Sequence, residues 1–176
     1  MKTVGCLAAP SCIGRAAPAL AEGPSGKFRS VAEHEFEVAA PVIKVFPLFD
    51  PVNEPKWEPS FKPMAVYPEE ISAQENAIFL TGNQGSTVVW NIITYLPAEY
   101  RIEYLVTDPG HSQRRITVQC EPGGTGETRV RVRYINTALS EEGCAALRRY
   151  SVDFLRAWEQ PVRNAAEAPT TGESKS

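Results

Sequence analysis

The chain has 176 residues, 43% hydrophobic and 22% charged, a mixture that suits one globular domain with a sizeable core and argues against a disordered polymer. A formal net charge of -3 and a pI near 5.5 provide no field for a phosphate backbone, so no nucleic-acid partner is expected. No apolar run approaches the roughly 18 residues of a membrane helix, so no membrane partner is expected either.

Residues 1–30 are rich in Ala, Gly, Pro and Ser without a sustained period and read as a disordered extension. Lys2 and the Ala-x-Ala ending at Ala21 resemble a secretory leader, but Arg15, Pro10 and Gly14 interrupt its apolar region, and a cytoplasmic location is expected instead. Cys6, Cys12, Cys120 and Cys144 form no C-x-x-C pair, which fits free thiols in a reducing compartment. His34 and His111 have no partner at a zinc-ligand spacing, so neither a metal nor a cofactor is expected.

EHEFEV alternates His34, Phe36 and Val38 with three glutamates, which predicts a half-buried strand. Pro41 can open a short helix over VIKVFPLF, and Pro47 should bend or end it. Then FDPVNEPKWEPSFKP places Pro51, Pro55, Pro59 and Pro63 four residues apart, a spacing that no uninterrupted helix tolerates. KPMAVY, the AIFLT segment, STVVWNIITYL, YRIEYLVT, SQRRITVQCE and TRVRVRYIN follow as strands. The short turns between them, DPGH and PGGTGE included, imply an antiparallel meander.

In the last strand Val130, Val132 and Tyr134 oppose Arg129, Arg131 and Arg133, which reads as a solvated outer face with Arg101 and Glu103 as charged neighbours. Ser140 is a suitable N-cap for one long helix, with Glu141 and Glu142 in its first turn. Leu147, Tyr150, Phe154, Leu155, Trp158 and Val162 make its apolar stripe, and Pro161 marks its expected end. The domain is expected over 31–162, followed by a disordered tail at 163–176.

HEFEVAAPVIKVFPLFDPVNEPKWEPSFKPMAVYP, the later AIFLT and VVW, and YINTALSEEG before the long helix together resemble the helix-grip superfamily. Its members are the START-like, Bet v 1-like and polyketide cyclase or dehydratase proteins. The resemblance implies an α+β fold: a curved antiparallel sheet of about seven strands wrapped around a long C-terminal helix, with two short helices after the first strand. It also implies a cavity between sheet and helix. Wall candidates are Ile102, Tyr104, Val106, Ile116, Val118, Val130, Val132 and Tyr134 from the strands. Leu147, Ser151, Phe154, Leu155 and Trp158 come from the helix, with Trp57 at the rim and either Trp90 or Asn91 turned inward. Most of these are also ordinary core residues.

Asp108 and His111 across DPGH, and Glu58 beside Trp57, are the titratable candidates, although Asp-Pro-Gly is an ordinary turn sequence. There is no G-x-S-x-G, phosphate loop or dinucleotide fingerprint, so catalytic residues stay unassigned and enzyme activity stays open. The expected function is binding of a small hydrophobic or aromatic molecule by a monomer or homodimer. The alternatives are a polyketide cyclase, aromatase or dehydratase, or a protein-binding domain like the relatives that activate a chaperone ATPase.

Overall fold

The computed structural model describes residues 28–83 and 86–168. Residues 1–27 of the expected extension, the tail from 169 and the second half of the GNQG turn lie outside the described residues, while Arg29 and Ser30, expected in the extension, belong to the first strand.

Seven antiparallel strands form one sheet: β1 (Arg29–Val38), β2 (Met64–Tyr67), β3 (Ile78–Asn83), β4 (Ser86–Leu96), β5 (Arg101–Asp108), β6 (Ser112–Pro122) and β7 (Thr128–Ala138). Their order across the sheet is β1-β7-β6-β5-β4-β3-β2, so the first two strands are its opposite edges. The chain between them must traverse the sheet's width, at most roughly 29 Å at about 4.8 Å per strand gap. That requirement explains the proline segment. It is a compact bridge of short turns laid under the sheet, made from helix α1 (Val42–Val45) and 3₁₀ turns at Phe46–Phe49 and Glu54–Lys56.

Local chemistry sets each turn of the bridge. Asp50 is buried, and its Oδ1 accepts from the backbone N–H groups of Val52 and Asn53 at 2.9 Å each, while both carboxylate oxygens accept from the Asn53 amide. This holds the chain in a tight turn across Pro51. Pro55 then stands in the first turn of its 3₁₀ segment, where a missing N–H costs nothing.

The alternation in β7 and β1 decides which face is wet. Phe36, Val38, Val130, Val132 and Tyr134 are buried on the concave side. The outer-face register sets Glu33, Glu35 and Glu37 opposite Arg133, Arg131 and Arg129. Arg131 bonds Glu35 at 2.8 Å, Arg129 reaches Glu35 at 3.4 Å, and Arg133 lies 3.6 Å from Glu33. The arginine stripe is therefore paired mainly with β1. Arg101 and Arg115 instead clamp Glu103, whose carboxyl is enclosed beneath their guanidinium groups. Burial pushes that carboxyl up, but hydrogen bonds and charge from the two arginines outweigh it and hold it below the usual range.

The C-terminal helical run covers the concave face, in three segments: α2 (Glu141–Leu147), α3 (Val152–Arg156) and α4 (Glu159–Glu167). Ser140 caps α2 through its Oγ, which accepts from Gly143 N–H at 3.0 Å. At Ser151 the backbone is extended (φ -94, ψ 177), so the run is jointed where an unbroken helix was expected. Leu147, Leu155 and Val162 remain buried on either side of the joints. The stripe's spacing is thus kept while its axis bends over a curved sheet. Pro161 lies in the first turn of α4 rather than at a helix end, and the helix continues through Glu167 with Ala166 buried, past the boundary expected at 162. His34 Nε2 to Glu159 at 2.6 Å, and Arg163 Nε donating to the Glu37 carbonyl at 2.9 Å, fasten α4 to β1.

Candidate functional site

The helical run lies over the β1 side of the sheet and the proline bridge lies across it, leaving a gap where the two meet. A cavity of ≈ 430 Å³ occupies that gap. Its walls are Trp57 and Phe61 from the bridge, Trp90 from β4, Tyr134 from β7, and Tyr150, Phe154 and Trp158 from the helical run. Aromatic rings touch around it: Trp57–Trp158 centroids are 5.1 Å apart, Phe61–Trp90 5.4 Å, and Tyr134 stacks on Tyr150 at 5.8 Å. The volume falls in the range of small-molecule sites, and polar groups share the lining with the aromatic rings.

Trp57 is a fixed wall. It is 7% exposed, its indole N–H donates to the Leu48 carbonyl at 2.6 Å, and its ring meets Phe49 and Trp158. Trp90 takes the inward position of β4, with its N–H donated to Thr81 Oγ1 at 2.9 Å, which turns Asn91 to the other face.

The remaining candidates are spread over several places. Tyr104, Ile116 and Val118 line a void of ≈ 10 Å³ deeper in the core, bordered also by Trp90, Tyr134 and Trp158. Such a space holds about one water. The Tyr104 hydroxyl is used structurally, donating to the Phe49 carbonyl at 2.8 Å and tying the bridge to β5. Val106, Val130, Val132 and Leu155 are fully buried core outside both spaces. Leu147 and Ser151 border a separate groove against residues 28–32. Asp108 and His111 form the expected turn, closed by His111 N–H to Asp108 carbonyl at 3.0 Å with Gly110 at φ 77, and line neither cavity. Burial pushes the Cys120 thiol up to about 12, which leaves it a packing residue.

The cavity's polar groups were mostly not singled out from the sequence. Glu54 and Glu58 stand on the bridge side, and Arg114 and Arg149 on the opposite side. Glu54 borders both the cavity and the deep void. Burial, then the charges of Glu58 and Asp50, hold its carboxyl well above the usual range. Burial likewise keeps the Tyr134 phenol up, with Glu54 adding to the rise and Arg114 opposing it. Glu54 and Tyr134 are thus a weakened acid and a protonated phenol near one another beside an aromatic cavity, a pair suited to donating hydrogen bonds or a proton. A signal for Arg114 did exist: it has the same parity as Ile116 and Val118, so a charge was due on the inner face. Glu54 had no such signal, because 3₁₀ turns separated by prolines carry no period.

Among the described residues no three His, Cys, Asp or Glu side chains are grouped to hold a metal ion, and no helix is long and apolar enough to cross a membrane.

A curved seven-stranded antiparallel sheet gripping a C-terminal helical run, with short helices after its first strand, is the helix-grip fold, also called the Bet v 1-like fold. Solved structures share it over 77% to 96% of this chain. Norcoclaurine synthase from Thalictrum flavum, in complex with dopamine and hydroxybenzaldehyde, is similar at a TM-score of 0.61 and 12% identity, covering 96% of this chain and 100% of its own. The protein jhp0584 from Helicobacter pylori gives a TM-score of 0.65 at 10% identity, over 95% and 99% of the two chains. Ara h 8.0201 gives 0.58 at 12%, over 78% and 97%. No protein-family model matches the sequence, and no curated protein matches it.

Proposed function

We propose that the protein binds a small hydrophobic or aromatic molecule in the cavity between the proline bridge and the C-terminal helical run. The observation that carries this is the ≈ 430 Å³ space walled by seven aromatic side chains: Trp57, Phe61, Trp90, Tyr134, Tyr150, Phe154 and Trp158. A core made only for stability would close on itself, because interiors pack to crystal-like density. The occupied norcoclaurine synthase structure, with two small aromatic molecules bound, supports the same use of the fold.

The test is displacement of a neutral fluorescent probe, N-phenylnaphthylamine, from the full chain, with Trp158→Ala as the cavity variant. The expected result is saturable binding by wild type that the variant weakens. Absence of saturable binding of any apolar aromatic compound to folded protein sinks the proposal.

A cyclase-, aromatase- or dehydratase-type enzyme acting on such a compound, polyketides included, is the second reading. It is favoured by Glu54, an acid held above its usual range beside Tyr134. A protein-binding role gains little from the outer arginines, which already reach Glu33, Glu35, Glu37 and Glu103. We place the protein in the cytoplasm as a monomer or homodimer, with Cys120 and Cys144 free.

A further inference from the structure

The arginines of β5, β6 and β7 fall into two groups. On the outer face of the sheet Arg101, Arg115, Arg129, Arg131 and Arg133 each reach a carboxylate. Arg114 points the other way and is only 5% exposed, yet it makes no ion pair with any described residue. Its Nε is buried without a hydrogen-bond acceptor. Asn136, opposite Arg114 in the β6–β7 ladder, is a neutral amide and supplies no counter-charge. Asp108, diagonal to Arg114 across the β5–β6 ladder, makes no ion pair with it. Neither acid on the far side of the cavity, Glu54 or Glu58, reaches it within ion-pair distance.

A buried guanidinium without a carboxylate is an expensive arrangement, which proteins ordinarily avoid by pairing. Here the group is held over the Tyr150 ring, with its Cζ 4.5 Å from the centroid. Arg149 lies 4.8 Å from the same ring and donates to its hydroxyl at 2.9 Å, likewise without an ion pair to a described residue. Both arginines and Tyr150 line the aromatic cavity. The cavity thus carries two arginines, from β6 and the helical run, and two glutamates from the proline bridge, together with its aromatic rings.

Resting on the cavity reading above, we infer that the ligand is an aromatic carboxylate, with its rings among Trp57, Trp90, Tyr134, Phe154 and Trp158 and its carboxylate paired with Arg114. The planar guanidinium offers the two-pronged geometry that a carboxylate matches. Arg149, at the mouth, attracts the anion and adds less, because it is exposed.

The experiment is competition by two compounds of near-equal shape, naphthoate and its neutral amide naphthamide, against N-phenylnaphthylamine on the full chain. Wild type is expected to prefer naphthoate by about tenfold or more, the scale of a charge-assisted hydrogen-bond pair. Arg114→Gln should bring naphthoate down to the naphthamide level while leaving naphthamide within about twofold, since only the charged contact is lost. If Arg114→Gln does not fold, Arg114→Lys replaces it: naphthoate should weaken several-fold and naphthamide should not. Equal competition by the two compounds in wild type overturns the inference, as does a preference for the acid that survives Arg114→Gln, or an equal loss of both compounds in Arg114→Lys. Those results would leave the cavity reading standing. If the probe is not held and neither compound binds, the cavity reading itself fails, and this inference with it.

Discussion

Replacing Trp57 by alanine separates a structural wall from a movable cover. The ring is 7% exposed, contacts Phe49 and Trp158, and closes a hydrogen bond from its N–H to the Leu48 carbonyl. Burying a tryptophan of this kind contributes about 3–5 kcal/mol relative to alanine. One side of the ring borders the open cavity, so water can enter part of the space vacated and the loss should fall near the lower end, about 3 kcal/mol. For a domain of this size that corresponds to a fall of roughly 10 °C in Tm. Trp57→Phe keeps most of the ring contact and loses the hydrogen bond, so it should cost only about 1 kcal/mol. Urea denaturation followed by circular dichroism measures both changes. A Trp57→Ala protein within about 1 kcal/mol of wild type, with ligand affinity abolished, would refute the fixed-wall assignment and make Trp57 a cover.

Three further outcomes are expected. Glu54 has a folded-state pKa above its unfolded value, so its ionisation costs stability as pH rises from about 4.3 through the raised value, and no cost exists below that window. Glu54→Gln should therefore be more stable than wild type at neutral pH, with the advantage gone at pH 4; a pH-independent difference contradicts this. Glu103 has the opposite sign: its stabilisation is present above about 4.3 and is lost as pH falls through its depressed folded value. Glu103→Gln should cost about 1–2 kcal/mol at pH 7, limited by the half-exposed arginines, and far less in strong acid. Finally, a Cβ on Gly143 would lie 1.8 Å from the His111 carbonyl oxygen, so Gly143→Ala should lose about 3 kcal/mol or more. A Gly143→Ala protein with unchanged Tm would mean that α2 can slide away from the β5–β6 turn.

The amino-acid sequence by itself determined the strands of the sheet and their wet and dry faces, because those depend on neighbours within a few positions. TRVRVRYIN alternates with period two, and its apolar members are the buried ones. The proline spacing ruled out a long helix between residues 49 and 63, and short turns stand there. Ser140 was readable as a cap because its hydroxyl meets an N–H three residues away. Other features depended on contacts distant in sequence. The outer arginines find most of their partners on β1, about a hundred positions earlier, where the ladder rather than the local pattern sets the pairing. The joint at Ser151, where the run bends over the sheet, has no glycine or proline to announce it. The cavity belongs to this second group. Glu54 and Arg114 face the same space only because β1 and β2 occupy opposite sheet edges, which sends the proline bridge across the concave face. Whether that space stayed open or filled was decided by packing in three dimensions, which no periodicity encodes.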